Sequence, residues 1–518
     1  MVGCSAGSPD DSPKAQRQMT RRVLPFPATD FGARRPPLLA RPEVHQALLL
    51  TAAVLLIFTR LWETTLSSYD DAYYAEKAKE ILLTGSWLVP PWNYRPAFDN
   101  PPLSMWTTAV LFRAFGISEF TARLTSAACG VGCILLTYRF GRRFFGPWVG
   151  FFAGAALLTT PYFIKYSRHA MLDTMQTLLV GGALYLLALG LQRDRTAWTD
   201  LGAGVLTGLA VLNKSVLGFF PLVIYLVWVA VARPPLRRAL RPGLLGTLAA
   251  ALLLPGAWFG AATAVHGTEF LREHFGRIIW HRAMHGDAGA SVTWLSRLGY
   301  LEGLFVNFLP WIFLAIWGVW KLARGKADRR RALLPICWAG VVLVLLTLSA
   351  AQKSWYLMPA FPALAILAGV GLDSLLAARP RGREIYTAGL AILLGVFHLV
   401  TACTPVPMGR DRNRDLAAIA PAVRAAVPQG EHVLNFNLHP PWKYISPMYF
   451  YADRPLAQPE TDLDVMARIL EGAEGPAVLT DLATLERLSE RMGRAPRVLA
   501  ASGELVLLGP DPEINPSS

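Results

Sequence analysis

Five short stretches of this sequence carry side chains that could do chemistry. The first is the acidic pair Asp70 and Asp71. The second is FDNPPL, which sets Asp99 and Asn100 before the rigid Pro101–Pro102 step. SRHAMLDTMQ supplies Arg168, His169 and Asp173. EFLREHFGRIIWHRAMHG supplies His274, Arg277, His281, Arg282 and His285, and AQKSWYLMP supplies Lys353 and Tyr356. A carboxylate can accept a proton from an attacking hydroxyl, and carboxylates with imidazoles suit several divalent metals. Arginine and lysine stabilise charge on phosphate. Together the set suits an anionic substrate, with or without a metal ion.

Each stretch also has a plainer reading. Asp70 and Asp71 could cap the helix that begins with them. His274 could be an interfacial histidine without a ligand, and Lys353 could snorkel from a helix end. The histidine and arginine cluster could bind anionic headgroups without catalysis. Asp173, opening an apolar run, is costly in a membrane, and such acids are usually functional.

The elements that must position these residues are membrane spans. Hydrophobic residues make up 53% of the 518 and charged residues only 17%, where a soluble protein carries about a quarter. The apolar residues fall in blocks near the roughly 20 needed to cross a bilayer. His45 to Trp62 is the first; others lie near 120–140, 148–164, 173–192, 199–213, 216–232, 243–265, 301–322, 332–350, 357–377 and 385–403. Basic clusters, among them Arg139 with Arg142 and Arg143, and Arg233 with Arg237, Arg238 and Arg241, follow even-numbered blocks or precede the first. By the positive-inside rule the N-terminus is cytoplasmic and the C-terminus outside. All five chemical stretches then share the outer side. The formal charge of +14 is thereby read as topology, and nucleic acid is not an expected partner. Cys129, Cys133 and Cys337 lie in apolar blocks and no CxxC pair occurs, which argues against a disulfide framework or a zinc site.

Residues 1–42 are polar and basic and are expected to form a disordered cytoplasmic tail. Within the membrane domain, 43–403, the outer loop 63–118 contains AYYAEKAKEILLTGSWL and PPLSMWTTAVLFRAFG, whose helical apolar spacing suits helices lying on the membrane surface. Residues 404–518 alternate short β-like runs (HVLNFNL, PAVLTDL, RVLAAS, ELVLLG) with helical pieces, the pattern of a small extracytoplasmic α/β domain.

In order and wording, YDDAYYAEKAKEILLTGSWLVPPWN, FDNPPLSMWTTAVLFRAFGISEFTARL, RRFFG, LDTMQTLLV, EHFGR and KSWYLMPAFPALAILAG resemble the polyprenyl-phosphate-sugar-dependent membrane glycosyltransferases of the GT-C fold. The likeness is greatest to the bacterial branch near lipid A aminoarabinose transferase and protein O-mannosyltransferase. It runs from about His45 to Gly371. The resemblance implies Asp70 as catalytic base, Asp71 as the acid that usually follows it, and Asp173 as a second site acid. It implies Asp99 and His274 as ligands of a divalent metal ion, and Arg277, Lys353, Tyr356 and Asn100 around the lipid phosphate. Arg168, His281 and Arg282 are secondary candidates. The family commonly has lysine where this chain has Asn100, so Arg277, Arg282 or Lys353 would have to compensate, or donor and acceptor differ. The fold expected is a polytopic α-helical membrane protein of GT-C type with roughly 11–13 spans and the small C-terminal α/β domain. The activity expected is inverting transfer of a sugar from a polyprenyl-phosphate donor to a lipid, glycan or protein acceptor, in a bacterial inner membrane. A transporter or flippase, or a non-catalytic lipid-phosphate-binding protein, is the alternative.

Overall fold

A computed structural model describes residues 37–510 except 69, 192–196, 287–297, 326–328, 352, 405–410, 441 and 473–474. The expected N-terminal tail lies largely outside the described residues. The chain is a multi-pass membrane protein. Seven helical stretches among the described residues are long and apolar enough to cross a bilayer, or nine if the bent pairs Pro147–Leu158 with Pro161–Ser167 and Gly299–Asn307 with Trp311–Arg324 each count as one. The eleven apolar blocks read from the sequence map onto these helices. Two of them, 199–213 and 216–232, share the single run Ala197–Ala232, and the first falls on the shorter helix Pro42–Phe58.

That shared run is broken where it matters. Helix Ala197–Lys214 gives way to a 3₁₀ turn, Ser215–Phe219. Ser215 sits at φ 46, a left-handed conformation that non-glycine residues rarely adopt outside constrained sites. The break delivers Lys214 and Ser215 into the polar end of the bundle instead of continuing the helix. Elsewhere the bundle is drawn tight by small residues. A Cβ on Gly318 would stand 2.0 Å from the Leu367 carbonyl oxygen, and one on Gly371 would stand 2.2 Å from that of Leu314. Helices Trp311–Arg324 and Phe361–Leu376 therefore meet backbone to backbone, as small residues permit in lipid.

Both loop segments expected at the membrane surface are helical, Asp70–Thr84 and Leu103–Phe115. The first is covered by other parts of the chain. Its Ala72, Ala75, Ala78 and Ile81 pack with Met105, Ala109 and Phe112, and Glu76, Lys77, Lys79 and Glu80 on its other faces are buried as well. The cover comes partly from the C-terminal domain. Four of that domain's strands fall on the β-like runs, and Leu456–Glu460 adds a fifth. The sheet order is Leu456–Glu460, Val433–Phe436, Val478–Asp481, Leu505–Leu508, Val498–Ser502, with the first two pairings parallel and the last two antiparallel.

The domain is bolted onto the first loop by buried polar contacts. Asn413 Nδ2 donates to the Leu66 carbonyl at 2.7 Å. The Tyr451 hydroxyl accepts from Leu66 N at 2.8 Å and donates to Glu119 at 3.0 Å. Lys79 Nζ reaches Glu76 and the carbonyls of Tyr449 and Phe450, each at 3.1 Å, and Asp453 at 3.4 Å. Helix Trp442–Ala452 is thereby held across helix Asp70–Thr84.

Candidate active site

Asp70 opens its helix and borders two cavities at once. The smaller, about 360 Å³, is lined by Asp99, Asn100, Arg277, Arg282, Lys353 and Tyr356, with Tyr73, Tyr74 and Trp92 as aromatic walls. The larger, about 580 Å³, is bordered by Arg123, Lys165, Arg168, His169, Arg412 and Lys443. Helix Trp442–Ala452 contributes to both, Ile445 and Ser446 on one side and Lys443 on the other. Four of the five stretches singled out in the sequence thus meet at the first cavity, and the fifth, through Arg168 and His169, reaches the second.

The adjacent acids have opposite surroundings. Asp71 is 2% exposed. Its Oδ2 accepts from Ser67 N at 2.8 Å, the Ser67 hydroxyl at 3.1 Å and Arg123 Nη2 at 3.2 Å, and its Oδ1 accepts from Ala170 N at 2.6 Å. Arg123 also donates to the carbonyls of Leu61, Thr64 and Thr65. Burial alone would raise the Asp71 carboxyl, but Arg123, His169 and the backbone N–H groups outweigh it and hold the group below its usual range. Asp71 therefore fixes the turn that presents Asp70. Asp70 itself is pushed up to about 6, first by burial and then by the charge of Asp173, against the pull of Lys214, Lys353 and Arg282. It is ionised at neutral pH yet close to titrating, the condition for a general base.

Asp99 reaches the cavity through a short hairpin. Glu80 accepts the N–H groups of Asn93 and Tyr94, both at 2.9 Å, which ties the Pro91–Trp92 and Arg95–Pro96 strands to helix Asp70–Thr84. Beyond the hairpin, Asp99 Oδ1 accepts from Lys77 Nζ at 2.6 Å, and Oδ2 accepts from the Tyr73 hydroxyl at 2.9 Å and Asn100 Nδ2 at 2.6 Å.

The chain matches the family described as dolichyl-phosphate-mannose-protein mannosyltransferase over residues 99–259. It is 28% identical over 335 residues to an uncharacterised protein of Aquifex aeolicus, covering 63% of this chain and 64% of that one. It is 26% identical over 350 residues to the undecaprenyl phosphate-alpha-4-amino-4-deoxy-L-arabinose arabinosyl transferase of Shewanella sediminis, covering 65% and 61%. The chain thus spans under two thirds of the length of these relatives. Among solved structures, ArnT from Cupriavidus metallidurans bound to undecaprenyl phosphate superposes with a TM-score of 0.69 at 21% identity, over 90% of this chain and 99% of ArnT. The archaeal oligosaccharyltransferase AglB from Archaeoglobus fulgidus gives 0.53 at 14% identity, over 87% and 68%. The fold is GT-C.

Within this GT-C site, several expected residues stand elsewhere than expected. Asp173 borders neither cavity; it is buried and paired with Lys214, whose Nζ lies 3.9 Å from the centre of the Tyr356 ring. Its influence on Asp70 is through space. Arg168 borders the second cavity, but its Nη1 is spent on the carbonyls of Leu56, Ile57 and Thr59 at the end of helix Pro42–Phe58. His281 stacks on His285 at 4.6 Å and borders neither cavity. Arg277, on the π-helical turn Arg272–His281, reaches the first cavity while paired with Glu273.

Asp99 and His274 do not fit a metal ion. His274 is fully buried, with Nδ1 at 2.6 Å from the Phe98 carbonyl and Nε2 at 3.0 Å from the Ser215 hydroxyl. The carbonyl can only accept, so Nδ1 carries the proton and Nε2 takes its bond from Ser215. The Nε2 lone pair is engaged by Ser215, and three of the four acceptor positions of Asp99 hold donors, one of them a cation. No group of three or more His, Cys, Asp or Glu side chains among the described residues is arranged to hold a metal. His274 instead staples the loop before Pro101 to the break after Lys214.

Lys77, Lys214, Arg123 and Lys443 were not singled out in the sequence. The signal for Arg123 was a lone arginine within an apolar run, which in lipid demands buried acceptors.

Proposed function

We propose that the protein is an inverting glycosyltransferase that moves a sugar from a polyprenyl-phosphate donor to an acceptor at the outer face of a bacterial inner membrane. The observation that carries this reading is the position of Asp70, between a cavity rich in phosphate-binding side chains and a second one open for an acceptor. The likeness to undecaprenyl-phosphate-sugar transferases supports the donor class. The distribution of basic clusters supports a cytoplasmic N-terminus and an outer C-terminal domain.

The donor phosphate would lie against Arg277, Arg282 and Lys353, with Tyr356 beside it. The acceptor would approach through the second cavity, whose Lys165, Arg412 and Lys443 suit an anionic group. Asp70 takes the proton of the acceptor hydroxyl as its oxygen bonds to the anomeric carbon. The bond from that carbon to the phosphate oxygen breaks, its electron pair stays with the phosphate, and the fixed cations stabilise the charge that develops. Attack from the face opposite the leaving group inverts the centre.

The test is transfer in membranes from a panel of labelled polyprenyl-phosphate sugars, comparing wild type with Asp70→Asn. A donor that loses its label to an acceptor with wild type and not with the variant supports the reading and names the sugar. Turnover by Asp70→Asn near the wild-type rate refutes the role of Asp70. Absence of turnover by folded wild type with every donor favours a lipid-phosphate-binding protein without catalysis.

A further inference from the structure

Behind the wall of the donor cavity stands a cation that neither the sequence pattern nor the family likeness assigns. Lys77 is 0% exposed and its Nζ lies 2.6 Å from Asp99 Oδ1 and 5.4 Å from the centre of the Tyr73 ring. It stands behind Asp99 and is not among the residues lining the cavity. A buried ammonium survives only when paired, and the pairing here is with the carboxylate expected to bind a metal. Asn100, the residue in place of the family's lysine, does not fill the gap. Its amide donates to Asp99 at 2.6 Å.

We propose that Lys77 is the built-in counter-cation of Asp99 behind the donor cavity, acting through Asp99 to make sugar transfer independent of a divalent metal ion. The inference rests on the transfer activity proposed above. Without Lys77, Asp99 would place an uncompensated negative charge beside the donor phosphate and oppose Arg277, Arg282 and Lys353. A divalent ion could cancel that charge, but Lys77 already does so from within the fold. The three donors on Asp99 occupy three of its four acceptor positions, one of them with a cation. Lys77 is therefore a positioning residue. It sets the charge and orientation of Asp99, which faces the donor.

The test combines metal content with donor kinetics on the purified full-length protein. Wild type and Asp99→Asn are expected to carry less than about one-tenth of an equivalent of zinc, manganese or magnesium after dialysis against those ions. Chelator is expected to change the wild-type rate less than about twofold. Lys77→Met should raise the donor KM at least about tenfold with the acceptor KM unchanged, and added divalent ions should not restore it. The double variant Lys77→Met/Asp99→Asn removes both charges and should return the donor KM to within about threefold of wild type. That recovery separates an electrostatic role from lost folding, which a second substitution would not repair. One equivalent of metal in wild type that Asp99→Asn removes overturns the proposal, as does a double variant no better than Lys77→Met. If wild type turns over no donor, the transferase reading fails, and the metal content still decides whether Asp99 holds an ion or Lys77 has replaced it.

Discussion

Neighbouring acids given the same substitution should fail in opposite ways. Asp71→Asn keeps the shape of the side chain but turns one acceptor oxygen into a donor. If the remaining oxygen faces Ser67 and Arg123, the new NH₂ faces Ala170 N and leaves that donor unmatched, at about 1–3 kcal/mol. Arg123, 4% exposed, also loses its only carboxylate among the described residues, and breaking a buried pair costs about 3–5 kcal/mol. These terms overlap, so a total of about 3–5 kcal/mol is expected, enough to lower the apparent Tm in detergent by several degrees. Asp70→Asn should do the reverse. The folded carboxyl sits near 6 against an ordinary 3.8, so its ionised form is disfavoured by folding, and the cost grows as pH rises from about 4 to about 6. Relieving it is worth up to about 3 kcal/mol at pH 8, less in proportion to the exposure of Asp70 to the cavities. At pH 4 the two proteins should unfold alike. The assay is thermal unfolding of the three proteins at pH 4 and pH 8. An Asp71→Asn protein within about 1 kcal/mol of wild type at pH 8, or an Asp70→Asn protein several degrees less stable there, would refute the assignment of one acid to structure and the other to chemistry.

If Asp70 is the base, kcat/KM should be flat above about pH 6 and fall about tenfold per pH unit below it, as protonation removes the acceptor for the proton; an acidic limb unchanged in position by Lys214→Met would contradict the electrostatic link between Asp70 and the Asp173–Lys214 pair, whose loss of positive charge should move that limb to higher pH. Arg282→Ala and Lys353→Ala should each cost about 10²–10³ in kcat through weaker stabilisation of the leaving phosphate, measured in single-turnover transfer at saturating donor. Lys443→Glu should raise the acceptor KM at least tenfold and leave the donor KM alone, since Lys443 borders only the second cavity; equal effects on both would reject the division of the site.

The bundle was legible because crossing a bilayer demands length and apolarity, and both are visible in one dimension. So were the β-like runs of the C-terminal domain. The charges that organise the site were harder to see. AEKAKE, with Glu76, Lys77, Lys79 and Glu80, has the composition of a solvated helix face. Only tertiary events bury it: helix Trp442–Ala452, more than 350 residues away in the chain, closes over Glu76 and Lys79, while Asp99 and the hairpin hold Lys77 and Glu80. Lys214 was not singled out: the gap between blocks 199–213 and 216–232 marks a break, but nothing in LNKSVLG announces that Ser215 turns it inward. Asp99 and His274 were brought together only by the family resemblance, and their partners (Lys77 and Tyr73 on one helix, Ser215, and the Phe98 carbonyl) come from three separate segments. Residue types reveal what a site could hold; the partners decide what it does hold.

Helix Trp442–Ala452 belongs to the C-terminal domain and yet forms part of the wall of both cavities. In the proposed reaction the membrane bundle would carry the base and the phosphate cations, whereas part of the acceptor's surroundings would come from a module that begins after helix Gly382–Cys403. Chemistry and recognition are therefore separable in inheritance. A recombination that replaced everything after that helix would leave Asp70, Asp71 and the leaving-group pocket encoded intact while redrawing the acceptor's surroundings. The same arrangement offers an engineering route: grafted C-terminal domains, provided they keep the contacts to Leu66, Glu119 and Lys79, are where new acceptors for an old reaction should first be sought.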